Sequence, residues 1–137
     1  MQTTIALNHA QTVAGMYAAF GKGDIAFILD HIADNCRWTG IGGDLLPQGG
    51  HYTGKEAANF FKAMGETLIF NAFAPETILA AGENEVVAYG TMTCTSKATG
   101  KIATSDWAMR WVFDSEGKLI AFHDYHDTAA AYLANLP

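Results

Sequence analysis

Charge is scarce in this chain. Of its 137 residues only 16% are charged, and the eight Lys and Arg are scattered singly rather than gathered in a stripe. With a formal net charge of −6, such a surface offers a nucleic-acid backbone nothing to neutralise it, so no nucleic-acid partner is expected. Cysteine is limited to Cys36 and Cys94, far apart and without CxxC spacing. They read as buried thiols in a reducing compartment rather than as a disulfide framework. No His-x-x-x-His or cysteine cluster stands at metal spacing, so no metal is expected. No run approaches the roughly 18 apolar residues of a membrane span. The segment Met1-Gln2-Thr3-Thr4 puts no basic residues ahead of an apolar stretch, which argues against a secretory signal and for a cytoplasmic protein. There is no P-loop, no Gly-x-Gly-x-x-Gly after a strand and no Gly-x-Ser-x-Gly elbow. No cofactor is expected.

Apolar residues are what the chain has in abundance, at 50% of the total. That is rich for one domain of this size, and it points to apolar side chains lining a cavity or an interface besides the core. Val13, Met16, Tyr17 and Phe20 recur at helical spacing, and Gly21 and Gly23 end that helix. Asp24 reads as the cap of a second helix with Ile25, Ile28, Leu29 and Ile32 facing inward. Cys36-Arg37-Trp38-Thr39 reads as a short strand. Five glycines and Pro47 between Gly40 and Gly50 mark a loop, long enough to form a lid or a cavity rim. Thr53-Gly54-Lys55-Glu56 fits a capping box that starts a third helix burying Phe60, Phe61 and Met64.

From about Leu68 the apolar period changes from 3.6 to 2, predicting strands near 68–81, 86–96, 102–113 and 119–126 in an antiparallel meander. Asp127-Thr128 caps a final short helix through Leu133. No repeat or linker divides the chain, so residues 1–137 are read as a single domain, α+β in layout. The AAFGKGD run, the Trp38 strand, the YTGKEAANFF segment and the WAMRWVFDSEGKLIAFHDYHDT ending together resemble the SnoaL-like branch of the NTF2-like superfamily. The resemblance implies a cone: N-terminal helices packed on a strongly curved, mainly antiparallel sheet that encloses a pocket. It also implies a homodimer formed through the outer face of the sheet.

Strand alternation sorts the side chains. Ile120, Phe122, Asp124 and His126 share one face of the last strand. Ser105, Trp107, Met109, Trp111 and Phe113 share one face of the strand before it, and Gly90, Met92 and Cys94 one face of the strand before that. With these bulky sets turned inward, the expected pocket lining is Trp38, Phe60, Met92, Trp107, Met109 and Phe122, with Asp124, His126 and either Met16 or Tyr17. Asp106 and Arg110 fall on the outer face, as an interface pair or solvated. His51 and Tyr52 lie on the glycine-rich loop, either over a ligand or on plain surface. His9 and His31 are expected to be solvated on their helices.

Asp124 has two open readings. A carboxylate on an aromatic inner face is desolvated and moves toward a working general base, with His126 two residues along to share its proton. Alternatively it accepts hydrogen bonds from a neighbouring loop at the strand's end. His123-Asp124-Tyr125-His126-Asp127 is similar to the end of limonene epoxide hydrolases, whose aspartate matching Asp124 takes part in catalysis. The rest of that machinery falls on Gly90, Met92, Arg37 and Thr39, so epoxide hydrolysis by that route is not expected. Against ketosteroid isomerases, the base falls on Gly40, the oxyanion-hole aspartate on Met109 and the tyrosine on Met16. Tyr17 is one residue out of register, a rotation of about 100° on a helix.

The expectation is therefore a cofactor-independent isomerase, cyclase or dehydratase of the SnoaL-like type. Asp124, His126 and Tyr17 would move a proton on an apolar substrate of polyketide, steroid or terpenoid kind. The alternative is a non-catalytic binding module for a hydrophobic metabolite.

Overall fold

The computed structural model describes residues 3–137; Met1 and Gln2, part of the N-terminal segment read above, lie outside them. Helix α1 (Thr4–Gly21) begins where the Thr3 hydroxyl accepts the Ala6 N–H, and it buries Ala6, His9, Val13, Met16, Tyr17 and Ala19. Helix α2 (Ile25–Asp30) is capped by Asp24, whose carboxylate accepts the Phe27 N–H. Strand β1 (Ile32–Gly40) follows, then a 3₁₀ turn (Gly43–Leu45), strand β2 (Gly50–Thr53) and a second 3₁₀ turn (Gly54–Glu56) leading into helix α3 (Ala57–Thr67). The Thr53–Glu56 capping box is present as the sequence pattern predicts. Strands β3 (Leu68–Ala80), β4 (Glu85–Ser96), β5 (Ile102–Phe113) and β6 (Leu119–His126) form the meander, and helix α4 (Thr128–Ala134), capped by Asp127, closes the chain.

All six strands join one open sheet in the order β2-β1-β6-β5-β4-β3, antiparallel except where β1 runs parallel to β6. The β3–β4 ladder shifts register between Phe70 and Ala72 and between Pro75 and Thr77. Extra residues in one strand bend it and sharpen its twist, and Pro75 is tolerated because β3 is an edge. The sheet thus curls around a core of α1 and the inner faces of β1, β4, β5 and β6. This is the α+β cone expected from the sequence.

The structure departs from the sequence reading in several places. Ile32 does not extend α2: it opens β1, pairs with Leu119 and is 2% exposed. His51 and Tyr52 are not in a loop but in β2, paired with Thr39 and Trp38. A register shift between Val112 and Phe113 leaves Ile120 unpaired and turns Leu119 inward in its place, fully buried. His9 is not solvated. It sits one turn before Val13 on the buried stripe, and its ring stacks on Phe113 with centroids 4.4 Å apart. His31 lies past the end of α2, half-buried, its ring against Phe27. Asp106 and Arg110 are exposed on the outer face, as predicted, but Arg110 pairs with Glu85. Among the described residues no helix is long and apolar enough to cross a membrane.

Candidate functional site

The curled sheet, α1, α3 and one side of α4 surround an apolar pocket with a free volume of about 100 Å³. Every residue the sequence nominates for the site lines it: Tyr17, Trp38, Phe60, Met92, Trp107, Met109, Phe122, Asp124 and His126. The register explains why they converge. Across the β5–β6 ladder Trp107 faces His126, Met109 faces Asp124 and Trp111 faces Phe122. Across the parallel pair Trp38 lies beside Phe122, and their rings stack at 3.9 Å. On the other side Phe73 stacks on Trp107 at 4.8 Å. Gly90 makes room for that stack: a Cβ there would lie 3.0 Å from the Trp107 ring and 2.3 Å from the Ala74 carbonyl oxygen.

Asp124 is 5% exposed in this setting. Its Oδ1 accepts the Ile41 N–H at 2.6 Å, which ties the end of β1 to the pocket. Its Oδ2 faces His126 Nε2 at 3.8 Å, beyond a direct hydrogen bond, with both side chains almost wholly buried. Burial raises the Asp124 pKa above the ordinary aspartate value; the Ile41 N–H and the nearby His126 and His123 pull it back only in part. One oxygen of Asp124 thus anchors the segment after β1, and the other is a desolvated carboxylate oxygen beside a histidine.

Tyr17 and Met16 both reach the pocket. The Tyr17 hydroxyl accepts from Trp111 Nε1 and donates to Met109 Sδ, both at 3.1 Å. A thioether is a weak acceptor, so an oxygen on a bound ligand would take that proton readily. Burial raises the Tyr17 pKa strongly; the Trp111 bond offsets this in part, and the Asp124 charge adds to the rise. The hydroxyl therefore stays a neutral donor. His126 Nδ1 and Trp38 Nε1 are buried without hydrogen-bond partners.

The sequence reading missed Leu46 and Gln48, buried residues of the glycine-rich loop that line the pocket. It also missed Ser96 and Asn135, whose side chains bond each other at 2.7 Å and also line the pocket. Burial keeps Cys94, another lining residue, protonated, with its pKa pushed up to about 11. Among the described residues no group of three His, Cys, Asp or Glu is placed to hold a metal ion.

The SnoaL-like domain family matches residues 13–123. An NTF2-like protein from Burkholderia thailandensis is 29% identical, superposes with a TM-score of 0.84 and covers 94% of this chain and 98% of its own. An NTF2-like protein of unknown function from Burkholderia pseudomallei is 27% identical at a TM-score of 0.82, over 95% of this chain and 98% of that one. A third, from Burkholderia xenovorans, is 25% identical at a TM-score of 0.82, over 99% of both chains. No curated protein matches the chain.

Proposed function

The chain belongs to the SnoaL-like domain family, and from that premise we propose that it is a cofactor-independent isomerase or cyclase acting on an apolar carbonyl compound. One observation carries the reading: a desolvated carboxylate and a neutral hydroxyl donor border the same aromatic pocket. Asp124 Oδ2 takes a proton from the carbon beside the carbonyl. The electron pair moves onto the carbonyl oxygen, and the Tyr17 O–H, turning from Met109, stabilises the enolate that forms. The proton on Asp124 then returns to another carbon of the same molecule, which isomerises it. Where the enolate carbon instead attacks a second carbonyl of the same molecule, that carbonyl's electron pair moves onto its oxygen, the alkoxide takes the proton from Asp124, and the product is a ring. The Ile41 N–H holds the carboxylate in place, and His126, 3.8 Å from Oδ2, shares its proton once the two close to hydrogen-bond distance.

The pocket's size bears on the substrate. An apolar cavity of about 150 Å³ takes benzene, so a space of about 100 Å³ admits a single ring only after the lining yields a little. A polycyclic compound needs the lining to yield further. Met16, Met64, Met92 and Met109 all face the space, and unbranched thioether chains repack more easily than branched ones.

A second reading has its own observation. The Ile41–Asp124 bond gives the carboxylate a structural task, which suits a binding module that performs no chemistry. Conversion of 3-cyclohexen-1-one to its conjugated isomer, followed by ultraviolet absorbance, separates the two. Catalysis predicts turnover that falls about 10²-fold or more in Asp124→Asn, the scale of one general base. Uptake of the ketone by wild type with no turnover and no exchange of its acidic hydrogens for solvent deuterium leaves the binding module. Met92→Trp, which fills the space, should abolish uptake under either reading.

A further inference from the structure

A second, larger hollow of about 590 Å³ lies on the surface between the Gly43–Leu45 turn, the end of α3, the β4–β5 turn and α4. It shares three lining residues with the inner pocket: Leu46, Ser96 and Asn135. These three side chains border both the groove and the chamber. We infer that the groove is the entrance to the inner pocket, and that the segment from Gly43 to Gln48 is its moving gate with Leu46 as the plug.

The two sides of the partition are built differently. The α4 side is pinned. Ser96 Oγ donates to Asn135 Oδ1, the Thr99 hydroxyl donates to the Ala134 carbonyl, and Lys101 Nζ donates to the Leu136 carbonyl at 2.7 Å. The opposite side is a short flap bracketed by Gly42-Gly43 and Gly49-Gly50. Gly42, Gly43 and Gly50 have φ of 104°, 51° and 115°, conformations in which glycine turns without the clash a Cβ would make. Leu46 seats directly on Gly42, where an added Cβ would lie 2.8 Å from its side chain.

Beyond bonds within its own turns, the flap is tied down at its edges. The Tyr52 hydroxyl donates to the Gln48 carbonyl at 3.0 Å, and Asp124 holds Ile41, next to the first hinge. The Leu46 side chain is held by packing alone, an apolar plug 4% exposed over an apolar chamber. Swinging the flap outward withdraws Leu46 and Gln48 together, which opens and widens the chamber in one motion. This inference rests on the reading that the chamber takes up small molecules, but its test does not require the ligand.

Trp38, Trp107 and Trp111 are the chain's three tryptophans, each at most 3% exposed, and all three line the chamber. Tryptophan fluorescence, excited selectively over tyrosine, therefore reports on what reaches the chamber. The probe is acrylamide, a neutral quencher small enough to pass. Leu46→Ala removes the plug and should raise the bimolecular quenching constant severalfold, because local opening needs far less free energy than global unfolding. Ala98→Phe, on the exposed rim of the groove, should lower it. Leu79→Ala, an exposed site lining neither space, should leave it unchanged. Denaturant midpoints identify any variant that is merely loosened, and Leu46→Val replaces Leu46→Ala if the latter does not fold. Quenching indifferent to both Leu46→Ala and Ala98→Phe overturns the entrance, as does an equal rise with Leu79→Ala. Either result leaves the proton-transfer chemistry standing, and absent turnover leaves the gate standing.

Discussion

Replacing Asp124 by Asn exchanges a buried charge for a neutral amide of nearly the same shape. Three contributions change. The desolvation that raises the Asp124 pKa disappears, which favours the variant. The Ile41 N–H keeps an acceptor, but a bond to a charged oxygen becomes a neutral one, a loss of about 1 kcal/mol. The attraction to His126 at 3.8 Å is lost as well. In the wild-type protein burial outweighs the other two, because the net pKa shift is upward. The variant should therefore be more stable near pH 7, by about 0.5–2 kcal/mol, the range typical of relieving a functional group held in an unfavourable site.

The pH dependence has a definite sign. A carboxyl whose folded pKa exceeds its unfolded value binds more protons in the native state, so its contribution to stability falls as pH rises through that window. Below the ordinary aspartate value both proteins carry a neutral group at 124, and their stabilities should converge. From there the advantage of Asp124→Asn should grow with pH until the folded carboxyl has fully ionised, then level off. Urea titrations across pH 3 to 8, about the span in which carboxylates and histidines titrate, measure this directly. An Asp124→Asn protein less stable than wild type at pH 7 refutes the reasoning, since the charge would then be an anchor. Asp124→Ala, which leaves the Ile41 N–H without a partner, should lose about 1–3 kcal/mol.

Two further substitutions probe the frame around the site. Tyr17→Phe strands Trp111 Nε1 in the core and should cost about 1–3 kcal/mol in urea unfolding; a neutral result would mean that the tryptophan finds another acceptor. Gly40→Ala places a Cβ 2.4 Å from the Gln48 carbonyl oxygen and 3.0 Å from the Phe60 ring. It should destabilise by about 1–3 kcal/mol, as overpacking does, and should raise acrylamide quenching by displacing the flap.

The pocket was more legible in the sequence than the structure that holds it. Alternation along the last three strands placed Met92, Trp107, Met109, Phe122, Asp124 and His126 on one wall, because strand parity is local and survives without knowledge of the partner strand. It failed where parity itself broke: the irregularity that turns Leu119 inward instead of Ile120 has no side-chain signature in the sequence. Ile32 kept step with Ile25, Ile28 and Leu29, so helical spacing extended α2 one turn too far. The actual partner, Leu119, lies 87 residues away in a parallel pairing that no local pattern records. His9 stood at the correct spacing from Val13 and Met16 to share their buried stripe, but its polarity hid it. Leu46 and Gln48 were invisible for a different reason. Glycine-rich backbone carries no period, and only folding shows which of its side chains turn inward.

The four methionines around the chamber give the site a chemical vulnerability. Peroxide converts a thioether to a sulfoxide, which is polar and chiral. At Met109 the product would carry an S=O oxygen in place of the weak acceptor that now holds the Tyr17 proton at 3.1 Å. A sulfoxide oxygen accepts hydrogen bonds far more strongly than sulfur, so that hydroxyl would be sequestered where it now stands ready for exchange. Oxidative damage to one side chain would thus silence the donor without touching the carboxylate, and methionine sulfoxide reductase would restore it.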